Sequence, residues 1–157
     1  MTPTTFAPNA TMTRAMLVAV LHRLAGSPSV SGKMPFTDVA SDTWYHDAVL
    51  WASQNGIVAG MSETTFAPQE NITREQIVAI FSRYTAKFSP DKTEAAAELT
   101  VIADSASVSD WALDDMKWAG AYKVINGSPS AGKLYLKPQG NATRAEVATI
   151  LMQYRAL

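Results

Sequence analysis

The chain has 157 residues, enough for one domain with a substantial core. Hydrophobic residues make up 47% and charged residues 17%, a globular rather than a disordered balance. A net charge of −1 leaves no broad basic surface for a nucleic acid, and the absence of cysteine excludes disulfides and thiolate metal sites.

The opening stretch "MTPTTFAPNATM" lacks the basic segment and apolar run of a signal peptide, so any export signal is expected outside this chain. No later apolar run approaches the ~18–20 residues of a membrane span, so no membrane insertion is expected. "MTRAMLVAVLHRL" from Met12 reads as an amphipathic helix, and the Gly-, Ser- and Pro-rich "AGSPSVSGKMP" (25–35) reads as a loop. Next, "FTDVASDTWYHDAVLWASQNGIVAG" (36–60) predicts a helix ending near Gly56, with Trp44, Ala48, Trp51 and Ala52 on one face. Trp51 reads as core. Trp44, beside polar residues at the helix start, is either core or the wall of a ligand groove. Asp38, ahead of the helix, reads as a turn or capping residue rather than a catalytic acid.

"TFAPQENITREQIVAIFSRY" (65–84) matches "TFAPNATMTRAMLVAVLHRL" (5–24) without a gap. Thr73 is a good N-cap, Gln76 three residues on completes a capping box, and Ile72 can staple to Ile77. Ile77, Val78, Ile80, Phe81 and Tyr84 follow at helical spacing. "KFSPDKTEAAAELT" (87–100) opens with a Pro turn, and its alanine-rich centre is expected to form at most a short helical piece.

"VIADSASVSDWALDDMKWAGAYKVING" (101–127) then repeats the tryptophan unit. Trp111 and Trp118 are seven apart, like Trp44 and Trp51, and Gly127 stands sixteen after Trp111 as Gly60 does after Trp44. Trp118 reads as core, Trp111 as core or groove wall, and Asp104 as another turn or cap. Asp114 and Asp115 are adjacent on a helix and point apart, which does not suit an acid–base pair. After a loop "GSPSAGK" (127–133), "LYLKPQGNATRAEVATILMQY" (134–154) returns to the first plan, with Thr143 as cap, Glu146 completing the box and Ala142 facing Val147. The chain is therefore a repeat within a single domain, 1–157, built of units 1–24 (partial), 36–84 and 101–157.

In each copy an arginine stands six residues after a proline: Pro8 and Arg14, Pro68 and Arg74, Pro138 and Arg144. A cation at a helix start opposes the helix dipole. The arginine could extend into solvent, pair with a nearby carboxylate, or, beside unpaired helix N–H groups, form an anion site. Enzyme chemistry is poorly represented. His22 and His46 lie in different units and form no metal-ligand pattern, and there is no nucleophile elbow or phosphate-cradling loop. No catalysis, metal or cofactor is expected. Asn9, Asn71 and Asn141 open Asn-x-Thr triplets that read as turn chemistry.

The residues "FTDV" and the tryptophan of 36–60, "TFAPQENITREQ", and "TRAE" at Thr143–Glu146 together resemble the S-layer homology repeat of bacterial surface proteins. The resemblance covers nearly the whole chain apart from loops. It implies an all-α, pseudo-threefold domain with a central three-helix bundle and outward helix-loop prongs. Grooves between prongs would bind secondary cell-wall polysaccharide, often pyruvylated, whose carboxylates meet the motif arginine. Such a domain would anchor an exported protein non-covalently to the extracellular face of a Gram-positive-type wall. The candidate ligand-binding residues are then Arg74, Arg144 and Arg14, with Gln76, Glu146, Trp44, Trp111, Gly60 and Gly127. Two departures stand out: Met16 replaces the usual Glu or Gln, and the first tryptophan unit is absent. Both predict that the Arg14 groove, short of a cap and a wall, is the weakest. The alternative function is a protein-interaction module that pairs with itself or an upstream domain through apolar surface exposed by the missing prong.

Overall fold

A computed structural model of the chain describes residues 6–157, so the first five residues of the partial unit lie outside it. The protein is mostly helical: α1 Arg14–Leu24, α2 His46–Gln54, α3 Arg74–Phe88, α4 Leu113–Ala121 and α5 Arg144–Arg155. A two-stranded antiparallel hairpin, β1 Ser128–Ser130 with β2 Lys133–Tyr135, replaces the expected loop at 127–133. Its two turn residues, Ala131 and Gly132, both have positive φ (48° and 75°), as the tight primed hairpin turns require. The alanine-rich centre of 87–100 is not helical; instead α3 runs on to Phe88 and a short 3-10 turn follows at Pro90–Lys92.

The helix starts form as their sequences direct. Thr73 Oγ1 accepts from Gln76 N–H at 3.3 Å, and Gln76 Oε1 accepts from Thr73 N–H at 3.2 Å. Thr143 and Glu146 repeat this box at 3.2 and 2.8 Å. In α1 only the Thr13 half exists, since Met16 cannot accept. Ile72 and Ile77 are both fully buried, as are Ala142 and Val147.

The three starts are tied to one another by a closed ring of main-chain hydrogen bonds. Met12 N–H donates to Ala142 O (3.0 Å), Ala142 N–H to Ile72 O (3.0 Å), and Ile72 N–H to Met12 O (2.9 Å). The first two donors of each helix run round the copies in the opposite direction. Arg14 and Ala15 donate to Glu70 O and Pro68 O, Arg74 and Glu75 to Gly140 O and Pro138 O, and Arg144 and Ala145 to Ala10 O and Pro8 O. Each helix thus begins on the proline turn of another copy. The turns themselves bend at Ala7, Ala67 and Lys137, whose φ values of 45°, 58° and 50° are unfavourable for residues with a Cβ. Carboxylates hold two of them. Asp38 accepts from the N–H groups of Phe66 and Ala67 (2.9 and 2.7 Å), and Asp104 from those of Leu136 and Lys137 (2.8 and 2.7 Å). The aspartates are structural clamps, as the sequence suggests.

α1, α3 and α5 each start at a Thr-Arg pair and are the Thr-Arg helices; close packing joins α1 to the tryptophan helix α2 and α3 to the tryptophan helix α4. Trp51 and Trp118 are buried; Trp51 lies against His22, Tyr84 and Phe88, and Trp118 donates its indole N–H to Lys92 O at 2.9 Å. α5 reaches α3 through Tyr154, whose ring sits 5.0 Å from that of Phe81 and whose hydroxyl accepts from Thr85 at 3.1 Å. Trp44 does not share the α2 face, because the helix begins only at His46; it stands 60% exposed.

Loss of either cap should be felt whatever the function. Thr73→Ala and Thr143→Ala should each lower stability by about 0.5–2 kcal/mol in thermal or denaturant melts. Unchanged melts would mean the caps do not hold the helix starts.

Candidate ligand-binding grooves

The three motif arginines occupy equivalent backbone positions and different environments. Arg14 is only 5% exposed; its Nε donates to Phe66 O at 2.9 Å, Nη2 to Ala59 O at 3.4 Å, and its Cζ lies 4.8 Å from the centre of the Phe66 ring. Among the described residues no carboxylate lies within ion-pair distance of it. Burial lowers its pKa and Asp38 opposes this from further away, but a guanidinium stays protonated near neutral pH. Arg74 instead donates Nη2 to Glu146 Oε1 at 2.5 Å. It also passes close to Gly140, where an added Cβ would collide with Nη1. Arg144 places its Cζ 5.3 Å from the Phe6 ring.

The anion site expected at the helix termini is not built as the sequence suggests. The first two N–H groups of each of these helices are spent on carbonyls of another copy's proline turn, and the third on the threonine cap. An anion at these positions would therefore have to be held by side chains rather than by the helix termini.

Two grooves flank the arginines. Arg14 lies in one of about 260 Å³, whose walls are Val58–Met61 at the end of the first tryptophan unit, Gln76, Ile80 and Arg83 on α3, and Trp111 from the second tryptophan unit. Trp111, in a 3-10 turn ahead of α4, is 55% exposed, so its ring is available to the groove. Arg74 lies in the counterpart, about 170 Å³, between Ile125, Asn126 and Ser128 on one side and Glu146, Thr149 and Gln153 of α5 on the other. No tryptophan lines it, and Gln153 stands where Arg83 does in the first. Among the described residues, a tryptophan wall therefore stands at the Arg14 groove and not at the Arg74 groove.

The remaining candidates divide. Gln76 joins Arg14 and Trp111, and Gly60 stands at the same groove for a packing reason, since a Cβ there would strike Ser62 O, Thr65 O and the Phe36 ring. Glu146 faces Arg74. Gly127 belongs to a separate depression with Ile102, Met116 and Leu134, and Trp44 packs its edge on Tyr45, lining neither arginine groove. Sequence reasoning missed Arg83 and Phe66. Arg83 was within reach: it is seven residues after Gln76, on one helix face, and corresponds to Arg23 and Gln153 in the other copies. His22 is structural, with Nε2 2.9 Å from Pro28 O, and no metal-binding cluster occurs among the described residues. Asp115, near Arg83, has its pKa raised by burial against the opposing Ser82 hydrogen bond and Arg83 charge.

Residues 35–78 and 102–148, more than half of the chain, match the S-layer homology domain. The chain belongs to this family. It is 36% identical over 151 residues to an amylopullulanase of Thermoanaerobacterium thermosulfurigenes, and 33% over 145 residues to the surface-layer 125 kDa protein of Lysinibacillus sphaericus. It is 34% identical over 151 residues to the exoglucanase XynX of Acetivibrio thermocellus. These alignments cover 96%, 92% and 96% of this chain but only 8%, 12% and 13% of the relatives.

The Glu146 carboxylate gives a pH prediction. Burial alone would raise its pKa, but the Thr143 hydrogen bonds and the bond and charge of Arg74 outweigh that and hold it below the ordinary value. A depressed folded-state pKa contributes stability above the unfolded value, and this is lost as pH falls through the folded one. Between about pH 5 and pH 2, Glu146→Gln should therefore lose less melting temperature than the parent, while keeping its cap as Gln76 does. Parallel losses would show that the pair contributes nothing.

Proposed function

We propose that the chain anchors an exported protein non-covalently to the bacterial wall, binding an anionic secondary cell-wall polysaccharide in the Arg14 groove. The observation that carries this reading is a buried guanidinium without a carboxylate partner among the described residues, opening onto a groove that also holds Arg83, Gln76 and the exposed Trp111. Two cations suit a carboxylate such as a pyruvyl ketal, an indole face suits a sugar ring, and an amide suits hydroxyl groups. Family membership and the surface-layer relative support a place on the extracellular face of the cell, here read as a Gram-positive-type wall. On this reading residues 1–157 act as one binding domain without catalytic work of their own, serving a larger protein to which the chain is joined.

Arg14→Ala should weaken sedimentation with purified cell walls about ten- to a hundredfold, the worth of a charge-assisted bidentate pair. Arg74→Ala removes a guanidinium already paired with Glu146 and should do less, the reverse of the order expected from sequence for these two. Because Arg14 is buried, Arg14→Lys serves as a companion variant: it keeps the charge, loses the fork, and should also bind more weakly. Parent-like binding by both Arg14 variants would overturn the proposal.

A second reading, self-association, is favoured by one observation. The described residues give α5 no tryptophan helix of its own, and Met152 on it is 67% exposed. Light scattering of the purified chain should then show a concentration-dependent dimer that Met152→Lys abolishes; a monomer at all concentrations would reject it.

A further inference from the structure

We infer that the residue at the third position of α3 and of α5 selects whether the arginine facing it is open to an anion: Gln76 leaves Arg14 open, and Glu146 fills Arg74 as an internal ligand. The selection of grooves rests on the reading proposed above; the clamp itself does not.

The two residues do the same structural work. Gln76 Oε1 accepts from Thr73 N–H at 3.2 Å, and Glu146 Oε2 accepts from Thr143 N–H at 2.8 Å. What remains on each side chain differs by one atom. A carboxylate has a second acceptor and a negative charge, and Glu146 Oε1 spends both on Arg74 Nη2 at 2.5 Å. An amide oxygen keeps a second lone pair after the cap bond but carries no charge, and the other end of the group is an NH2 donor, so Gln76 cannot form an ion pair with a guanidinium. Arg14 accordingly turns to two neutral carbonyls, Phe66 O at 2.9 Å and Ala59 O at 3.4 Å, which leave its charge uncompensated. A ligand carboxylate arriving at Arg74 has to displace one that is already tethered, whereas at Arg14 it meets no such competitor. Tethering raises the effective concentration of Glu146 at Arg74 far above that of a dissolved ligand.

The pair Gln76→Glu and Glu146→Gln tests this in the full chain, because each substitution installs the residue that already caps the sister helix. Arginine side-chain 15N spectra report the clamp without any ligand. Slow rotation of the guanidinium NH2 groups is expected at Arg74 in the parent, lost in Glu146→Gln, and newly gained at Arg14 in Gln76→Glu. Unchanged Arg74 and Arg14 signals in both variants would overturn the inference. Calorimetric titration with a methyl glycoside bearing a 4,6-pyruvyl ketal adds the functional arm. The parent should bind in the Arg14 groove, and Gln76→Glu should bind about tenfold or more weakly at a melting temperature no lower than the parent's. Equal binding by parent and Gln76→Glu would also overturn it. A parent that ignores the glycoside counts against the proposed function, and the spectra then decide the clamp alone.

Discussion

Three N–H···O bonds, Met12 to Ala142, Ala142 to Ile72 and Ile72 to Met12, close a ring on which the rest of the molecule depends. A helix start presents donors that must find partners when they are buried. Here they find them on the proline turn of a different copy, so no copy completes its helix start alone. The turns are bent at residues with unfavourable positive φ, and the Asp38 and Asp104 carboxylates hold two of them in that shape. Repeat, turn, clamp and cap are thus one device. Its outcome is to place three arginines at equivalent points around the ring.

The awkward charge at each helix start is resolved by what lies across the groove rather than by the helix itself. With the terminal N–H groups already paired, the arginine's surroundings decide its use. Arg74 meets a carboxylate, rests on Gly140 and is satisfied within the chain. Arg14 meets an amide and carbonyls, shares its groove with Arg83, and has an exposed indole opposite. Identical backbone geometry therefore yields one arginine suited to structure and one suited to binding, and a single oxygen-for-nitrogen exchange between Glu146 and Gln76 accounts for much of the difference.

Much of this was legible in the chain. The gapless match of 5–24 with 65–84 and the caps at Thr73 and Thr143 located the helix starts to the residue, because capping is a local interaction between residues three apart. The burial of Trp51 and Trp118 followed from helical spacing. What failed was long-range. The pairing of Arg14 N–H with Glu70 O spans copies, and a motif read in isolation leaves those donors apparently free. The wall of the Arg14 groove comes from Trp111, nearly a hundred residues away, and nothing in the motif around Arg14 points to it. Trp44 was placed on a helix face by periodicity, yet α2 begins two residues later.

The central claim is that the groove shared by Arg14, Gln76 and Trp111 is where an anionic wall glycan binds. The four tryptophan indole N–H signals give the most direct test, since Trp51 and Trp118 are buried and Trp44 and Trp111 are exposed in separate places. On titration with fragments of purified wall polysaccharide, the Trp111 indole resonance should shift with saturation while those of Trp44, Trp51 and Trp118 stay in place. A saturating shift at Trp44 with Trp111 unmoved would contradict the account.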